Sequence, residues 1–123
     1  MSVKRVLIIE DEIHIQRLLQ HVLTKAGLEV RCAASGGEGL DILNKEKIPD
    51  LILLDIMMPG TDGLSVLRTI KAQNRFRSVP VVLLTALAQE NVVLKGIELG
   101  AKDYIRKPFH PTELVERVLK HVA

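Results

Sequence analysis

Short runs of wholly apolar residues alternate along this chain with stretches whose apolar residues recur at helical spacing, and few folds accommodate that alternation. Val6-Leu7-Ile8-Ile9 is a β-branched run, and Ile15, Leu18, Leu19, Val22 and Ala26 then fall on one helical face, with Gly27 where a helix would end. Leu28 to Cys32 alternates apolar and polar residues. Ser35-Gly36-Gly37-Glu38 has capping-box spacing and opens a helix carrying Leu40 and Leu43. Pro49 and Asp50 precede Leu51-Ile52-Leu53-Leu54, and a loop through Pro59, Gly60 and Gly63 leads to a helix with Leu64, Leu67 and Ile70 inward. Val79–Leu84 is the next strand, followed by a helix from about Gln89 to Leu99 that ends at Gly100. Asp103-Tyr104-Ile105 is a short last strand. Pro111 suits the first turn of the final helix, whose stripe is Leu114, Val115, Val118, Leu119 and Val122.

The order is (βα)₅, an α/β pattern that implies a parallel five-stranded sheet with helices on both faces, a three-layer sandwich. Three strand runs, near residues 6, 51 and 81, are apolar throughout and belong at the centre, where both faces are covered. The alternating second strand and the short fifth belong at the edges. That arrangement fits strand order 2-1-3-4-5, the flavodoxin-like form of the doubly wound sheet, as one domain over residues 1–123.

Composition excludes several classes. A net charge of +2 is too small to argue for nucleic acid or membrane. No apolar run approaches the length that spans a bilayer, and the opening run is broken by acids, unlike a signal peptide. The single cysteine, Cys32, excludes an intrachain disulfide framework and reads as a small buried hydrophobe. A cytoplasmic location is the simplest expectation. Phe76, Phe109 and Tyr104 are the only Phe, Tyr or Trp residues, so the core must be aliphatic. Lys71, Arg75 and Arg77 form a basic loop that, with only Phe76 to stack, reads as a solvated turn. His14, His21, His110 and His121 lack metal-ligand spacing and read as surface or capping residues.

In doubly wound sheets, ligands bind outside the carboxyl ends of the strands. Glu10 and Asp11 follow the first apolar run, Asp55 the third, Thr85 the fourth and Lys107 the fifth. Clustered carboxylates repel unless a cation holds them, and a few-carboxylate oxygen site suits Mg²⁺ or Mn²⁺. An aspartate is ionised at neutral pH and can attack phosphorus without a general base. Phosphoryl transfer needs mainly positioning and charge neutralisation, which a metal, a lysine and a hydroxyl supply.

Glu10-Asp11 after a hydrophobic strand, Asp55 within Leu53-Leu54-Asp55-Ile56-Met57-Met58-Pro59-Gly60, Thr85-Ala86 and Lys107-Pro108-Phe109 together resemble the response-regulator receiver domain of two-component signalling. The resemblance runs from the first strand to the last helix. It implies a phosphorylatable switch rather than a conventional enzyme, one that promotes its own phosphorylation and dephosphorylation. Asp55 would accept a phosphoryl group from the phosphohistidine of a sensor histidine kinase or a histidine phosphotransfer protein. Asp11 and Asp55 would ligate Mg²⁺ directly, Glu10 through water, and the Met57 carbonyl would complete the protein ligands. Lys107 would pair with Asp55 or its phosphate, with a cis Lys107–Pro108 bond. Thr85 and Tyr104 match the family's switch pair, and the responding surface would be the fourth helix, fifth strand and fifth helix, residues 86–122. Asp103, Glu113 and Arg117 would suit a dimer through that surface, but Val93 stands where such dimers tend to carry a basic residue. The target would be a downstream partner or an output domain that the sequence does not include.

Plainer readings compete for single residues. Glu10-Asp11-Glu12 suits the first turn of a helix, Thr85 a strand end or a helix cap, Lys107 a solvated loop, and Tyr104 an edge-strand aromatic. Two other functions fit the residues less well. A phosphatase of the haloacid-dehalogenase kind would need an acid two residues after its aspartate, where Met57 stands. A pseudo-receiver would bind partners without phosphorylation.

Overall fold

The structure is a computed structural model that describes residues 3–58, 60–86 and 90–122. Pro59 in the loop, Gln89 at the expected start of the fourth helix and Ala123 lie outside the described residues. Five parallel strands, β1 (Arg5–Ile9), β2 (Glu29–Ala33), β3 (Leu51–Asp55), β4 (Val81–Thr85) and β5 (Asp103–Arg106), form a sheet of order 2-1-3-4-5. The helices are α1 (Ile13–Lys25), α2 (Gly36–Lys45), α3 (Gly63–Lys71), α4 (Glu90–Glu98) and α5 (Pro111–Val122). Met57–Met58 and Thr61–Asp62 add a two-stranded antiparallel ribbon after β3, where the sequence pattern predicts a loop.

Side chains alternate across a strand, so an apolar run feeds two cores at once. Leu7, Ile9, Ile52, Leu54, Val81 and Leu83 pack with Ile42 and Leu43 of α2 and Val66, Leu67 and Ile70 of α3. Val6, Ile8, Leu51, Leu53, Val82 and Leu84 pack on the other face with Leu19 and Leu23 of α1 and Leu114, Val118 and Val122 of α5. β3 and β4 are buried along their whole length, whereas β2 and β5 expose alternate residues, as central and edge strands should. A fully buried aliphatic side chain contributes about 1.5–3 kcal/mol. A one-residue slip of β1 would exchange its two faces and forfeit several such contacts.

Two helical stripes differ from expectation. Leu18 is 41% exposed and Leu23 is fully buried in its stead, because the inner face of α1 runs through Leu19 and Leu23, one turn apart. Leu119 is 40% exposed, since Leu114, Val118 and Val122 already fill the inner face of α5. Phe76 is fully buried in the first core, beneath the Arg75 guanidinium, so the basic loop offers no ring for stacking. His121 is no free surface residue, its Nε2 lying 3.0 Å from Asp103 Oδ2.

Local signals set the boundaries. Gly27, at φ +92, ends α1 with bonds from its own N–H to Thr24 O (3.0 Å) and from Leu28 N–H to Leu23 O (3.1 Å). Ser35 caps α2 by accepting from Glu38 N–H at 3.1 Å, and the Glu38 carboxylate accepts in return from Ala34 N–H, one residue earlier than the usual partner. Glu12 and Asp62 cap α1 and α3.

Gly63 opens α3 hard against the end of β3. A Cβ there would lie 2.4 Å from Ile56 Cα, 2.7 Å from Ile56 O and 2.8 Å from Asp55 O, all backbone atoms that cannot swing aside. Gly63→Ala is therefore expected to cost about 2 kcal/mol or more in chemical denaturation. Unchanged stability would mean that the Asp55–Ile56 backbone has room to retreat.

Candidate functional site

The carboxyl ends of β1, β3, β4 and β5 form one rim. In register, Ile9 stands beside Leu54, Asp55 beside Leu84, and Thr85 beside Arg106. Residues that follow or close these runs are therefore neighbours, though up to 97 positions apart. Glu10 N–H continues the ladder to Ala33 O at 3.0 Å, and Lys107 N–H does the same to Thr85 O at 2.8 Å.

Glu10, Asp11 and Asp55 each bring a carboxylate oxygen within 4.8 Å of the others. Glu10 is fully buried and Asp55 nearly so at 2% exposure, while Asp11 is exposed. The Lys107 ammonium donates to Glu10 Oε1 at 2.5 Å and to Asp55 Oδ2 at 3.2 Å. The shorter contact is to Glu10, where sequence reasoning paired the lysine with Asp55. Asp55 Oδ1 accepts from Met57 N–H at 3.0 Å, and Glu10 Oε2 from Glu12 N–H at 3.1 Å. The Lys107–Pro108 peptide bond is cis.

Three acids and one ammonium leave this rim with an excess of negative charge. Burial pushes the Glu10 carboxyl up to about 7, against the pull of Lys107, and Asp55 adds to the rise. For Lys107, burial works against the charged form, but the Glu10 hydrogen bond and the Asp55 charge outweigh it and hold the ammonium above its ordinary value. A bound cation would relieve both effects. Three carboxylate oxygens within 4.8 Å of one another are close enough to share one hard divalent ion, directly or through its waters. The donor set is all oxygen, and it fits.

Thr85 is buried at the end of β4, on the strand beside Asp55. Tyr104 stands on edge strand β5, 37% exposed. It lines a cleft of about 430 Å³ with Arg106, Pro108, Phe109 and Arg117. Arg117 is satisfied within the chain, donating to Tyr104 O at 2.6 Å and pairing with Asp103 at 3.5 Å and Glu113 at 3.6 Å. The Met57 side chain is 52% exposed beside the rim.

Sequence reasoning missed two supports. Gln16, one turn into α1, donates through Nε2 to Glu10 O at 2.5 Å and ties the acidic loop to the helix. Nothing in its spacing marks it. Gly63 permits the close approach of α3 to the Asp55 backbone, and its place at the first helical residue after a tight loop was the available signal.

Comparison with known proteins agrees with this geometry. The family model for the response regulator receiver domain matches residues 6–119. A putative response regulator from Chloroflexus aurantiacus J-10-fl is 36% identical, with 98% of each chain covered and a TM-score of 0.91. The chemotaxis protein CheY4 of Vibrio cholerae is 29% identical over 98% of this chain and 99% of its own, with a TM-score of 0.91. The receiver domain of a signal transduction histidine kinase from Syntrophus aciditrophicus is 33% identical over 98% of this chain and 90% of its own, with a TM-score of 0.88. Among the described residues, no helix is long and apolar enough to cross a membrane. With its sheet order, its acidic rim and a family match over residues 6–119, this chain belongs to the response regulator receiver domain family, the phosphorylatable switches of two-component signalling.

Proposed function

We propose that Asp55 is the phosphoacceptor of this switch, loaded from a phosphohistidine on a sensor kinase or phosphotransfer protein in the cytoplasm. The observation that carries the reading is the setting of Asp55, a nearly buried carboxylate with one oxygen on Met57 N–H and the other on Lys107. These contacts hold the carboxylate in one orientation, as a nucleophile requires. An Asp55 oxygen bonds to phosphorus as the P–N bond breaks, and the imidazole leaves with the electron pair. Lys107 stays within reach of the oxygens on which charge builds. Glu10, Asp11, Asp55 and the Met57 carbonyl are the residues that would hold Mg²⁺. When bound, that ion supplies charge neutralisation for the incoming phosphoryl oxygens.

The phosphoryl group brings roughly −1.5 to −2 of charge and three acceptor oxygens. Thr85 is the hydroxyl placed to follow it, and the partly exposed Tyr104 ring is the group placed to turn inward behind Thr85. Ligation shifts such an equilibrium only as far as it favours one state over the other. The surface of α4, β5 and α5 would carry the change to a downstream partner or output domain, and hydrolysis of the acyl phosphate by the same residues would reset it.

Incubation with Mg²⁺ and acetyl phosphate is expected to add one phosphoryl group by intact mass, and none to Asp55→Asn. An equal adduct on both proteins would overturn the assignment. Asp11→Asn removes one of three mutually repelling acids. It should raise the metal-free melting temperature while losing most of the stabilisation that Mg²⁺ gives the parent, about 1.4 kcal/mol at ten times the dissociation constant. Thermal unfolding with and without Mg²⁺ checks both halves, and an undiminished Mg²⁺ response in the variant would exclude Asp11 as a ligand.

A further inference from the structure

A basic cleft of about 540 Å³ lies at the opposite end of the sheet, where β4 and β5 begin. Lys71, Arg77, Lys102, Lys120 and His121 line it, and no carboxylate does among the described residues. The Lys71 ammonium donates to Arg77 O at 3.1 Å and Val79 O at 2.6 Å, and its stem packs on Gly100, so one wall is fixed. The acid that approaches this group, Asp103, is already shared by His121 and Arg117. Arg77, Lys102 and Lys120 form no ion pair among the described residues.

The plain account is that helix carboxyl ends favour cations. It covers Lys71 and Lys120, each in the last turn of its helix, and Arg77, which caps the carboxyl end of the 3₁₀ turn Asn74–Phe76, but not Lys102, which stands in the loop before β5. A merely solvated charged face would also spread its cations over a convex surface, whereas these surround a concavity. Burial lowers the proton affinity of Lys71, and the Lys102 charge lowers it further.

We propose that this cleft binds a small anion carrying a chain of phosphoryl groups, remote from Asp55 and independent of its role. Its volume is that of a small-ligand site. Lysine ammoniums act as point charges toward phosphate oxygens and impose no planar fork. Among the described residues no Phe, Tyr or Trp ring lines the cleft, so it lacks the stacking platform of a single-stranded nucleic-acid site. Inorganic polyphosphate and the phosphate chain of a nucleotide share the required chemistry.

The test is an amide-resolved NMR titration of the 123-residue chain with inorganic tripolyphosphate in metal-free buffer, and with adenosine triphosphate in parallel. Saturable shifts are expected at residues 71, 77–79, 100–102, 120 and 121. The Lys102→Glu/Lys120→Glu variant should weaken binding by about tenfold or more, and Lys102→Gln should weaken it in the same direction by less. Equal affinity for the two ligands would assign recognition to the phosphates alone, and tighter nucleotide binding would add contacts to the nucleoside. Shifts that never saturate, that sulfate at equal ionic strength reproduces, that persist unchanged in the variants, or that gather around Asp55 would overturn the proposal. So would an oligoglutamate peptide that binds the cleft more tightly than tripolyphosphate.

Discussion

Electrostatic crowding at one rim of the sheet is the constraint on which the rest of this structure depends. Three carboxylates converge where, among the described residues, one ammonium, that of Lys107, reaches two of them. Left alone, such a cluster opposes folding, because Glu10 and Asp55 are like charges in a buried, poorly polarisable setting, with the exposed Asp11 beside them. The chain tolerates it because the rim is closed by backbone. Met57 N–H and Glu12 N–H each satisfy a carboxylate oxygen, and Gln16 ties down the acidic loop. What remains is an excess of negative charge that a divalent cation would offset. Natural proteins accept instability of this kind where function requires it.

The scaffold makes that concentration affordable by placing the cost at an edge of two dense cores. β1, β3 and β4 bury both faces, so their carboxyl ends have little freedom to diverge. α3 is pressed against β3 through Gly63, which couples the Asp55 backbone to a helix buried through Val66, Leu67 and Ile70. By contrast, β5 is an edge strand with Tyr104 partly exposed. Buried elements thus hold the acidic rim, and a partly exposed edge strand lies at the periphery. That division suits a switch, since a two-state response needs one part that stays and another that can move.

Much of this was legible in the sequence because burial on both faces writes an uninterrupted apolar run. Val6–Ile9, Leu51–Leu54 and the run ending at Leu84 disclosed the central strands, and with them the rim, since the residues just after each run had to meet. Helix phase was harder. Leu18 and Leu19 both fit an apolar stripe, and only packing against the sheet decides that Leu19 and Leu23 face inward. Contacts between side chains distant in sequence were not legible at all. The closer approach of Lys107 to Glu10 than to Asp55 joins positions 97 apart, and Gln16 carries no local signature. His121 and Asp103, 18 positions apart, pair between α5 and β5.

The most direct measurement of the central claim is anomalous diffraction from crystals of this chain grown or soaked with Mn²⁺, a divalent ion of the same hard, oxygen-seeking class as Mg²⁺. A single strong peak within bonding distance of carboxylate oxygens of both Asp11 and Asp55 is the predicted result. A peak elsewhere on the molecule with none at this rim, or an ion bound to only one of these two aspartates, would contradict the account.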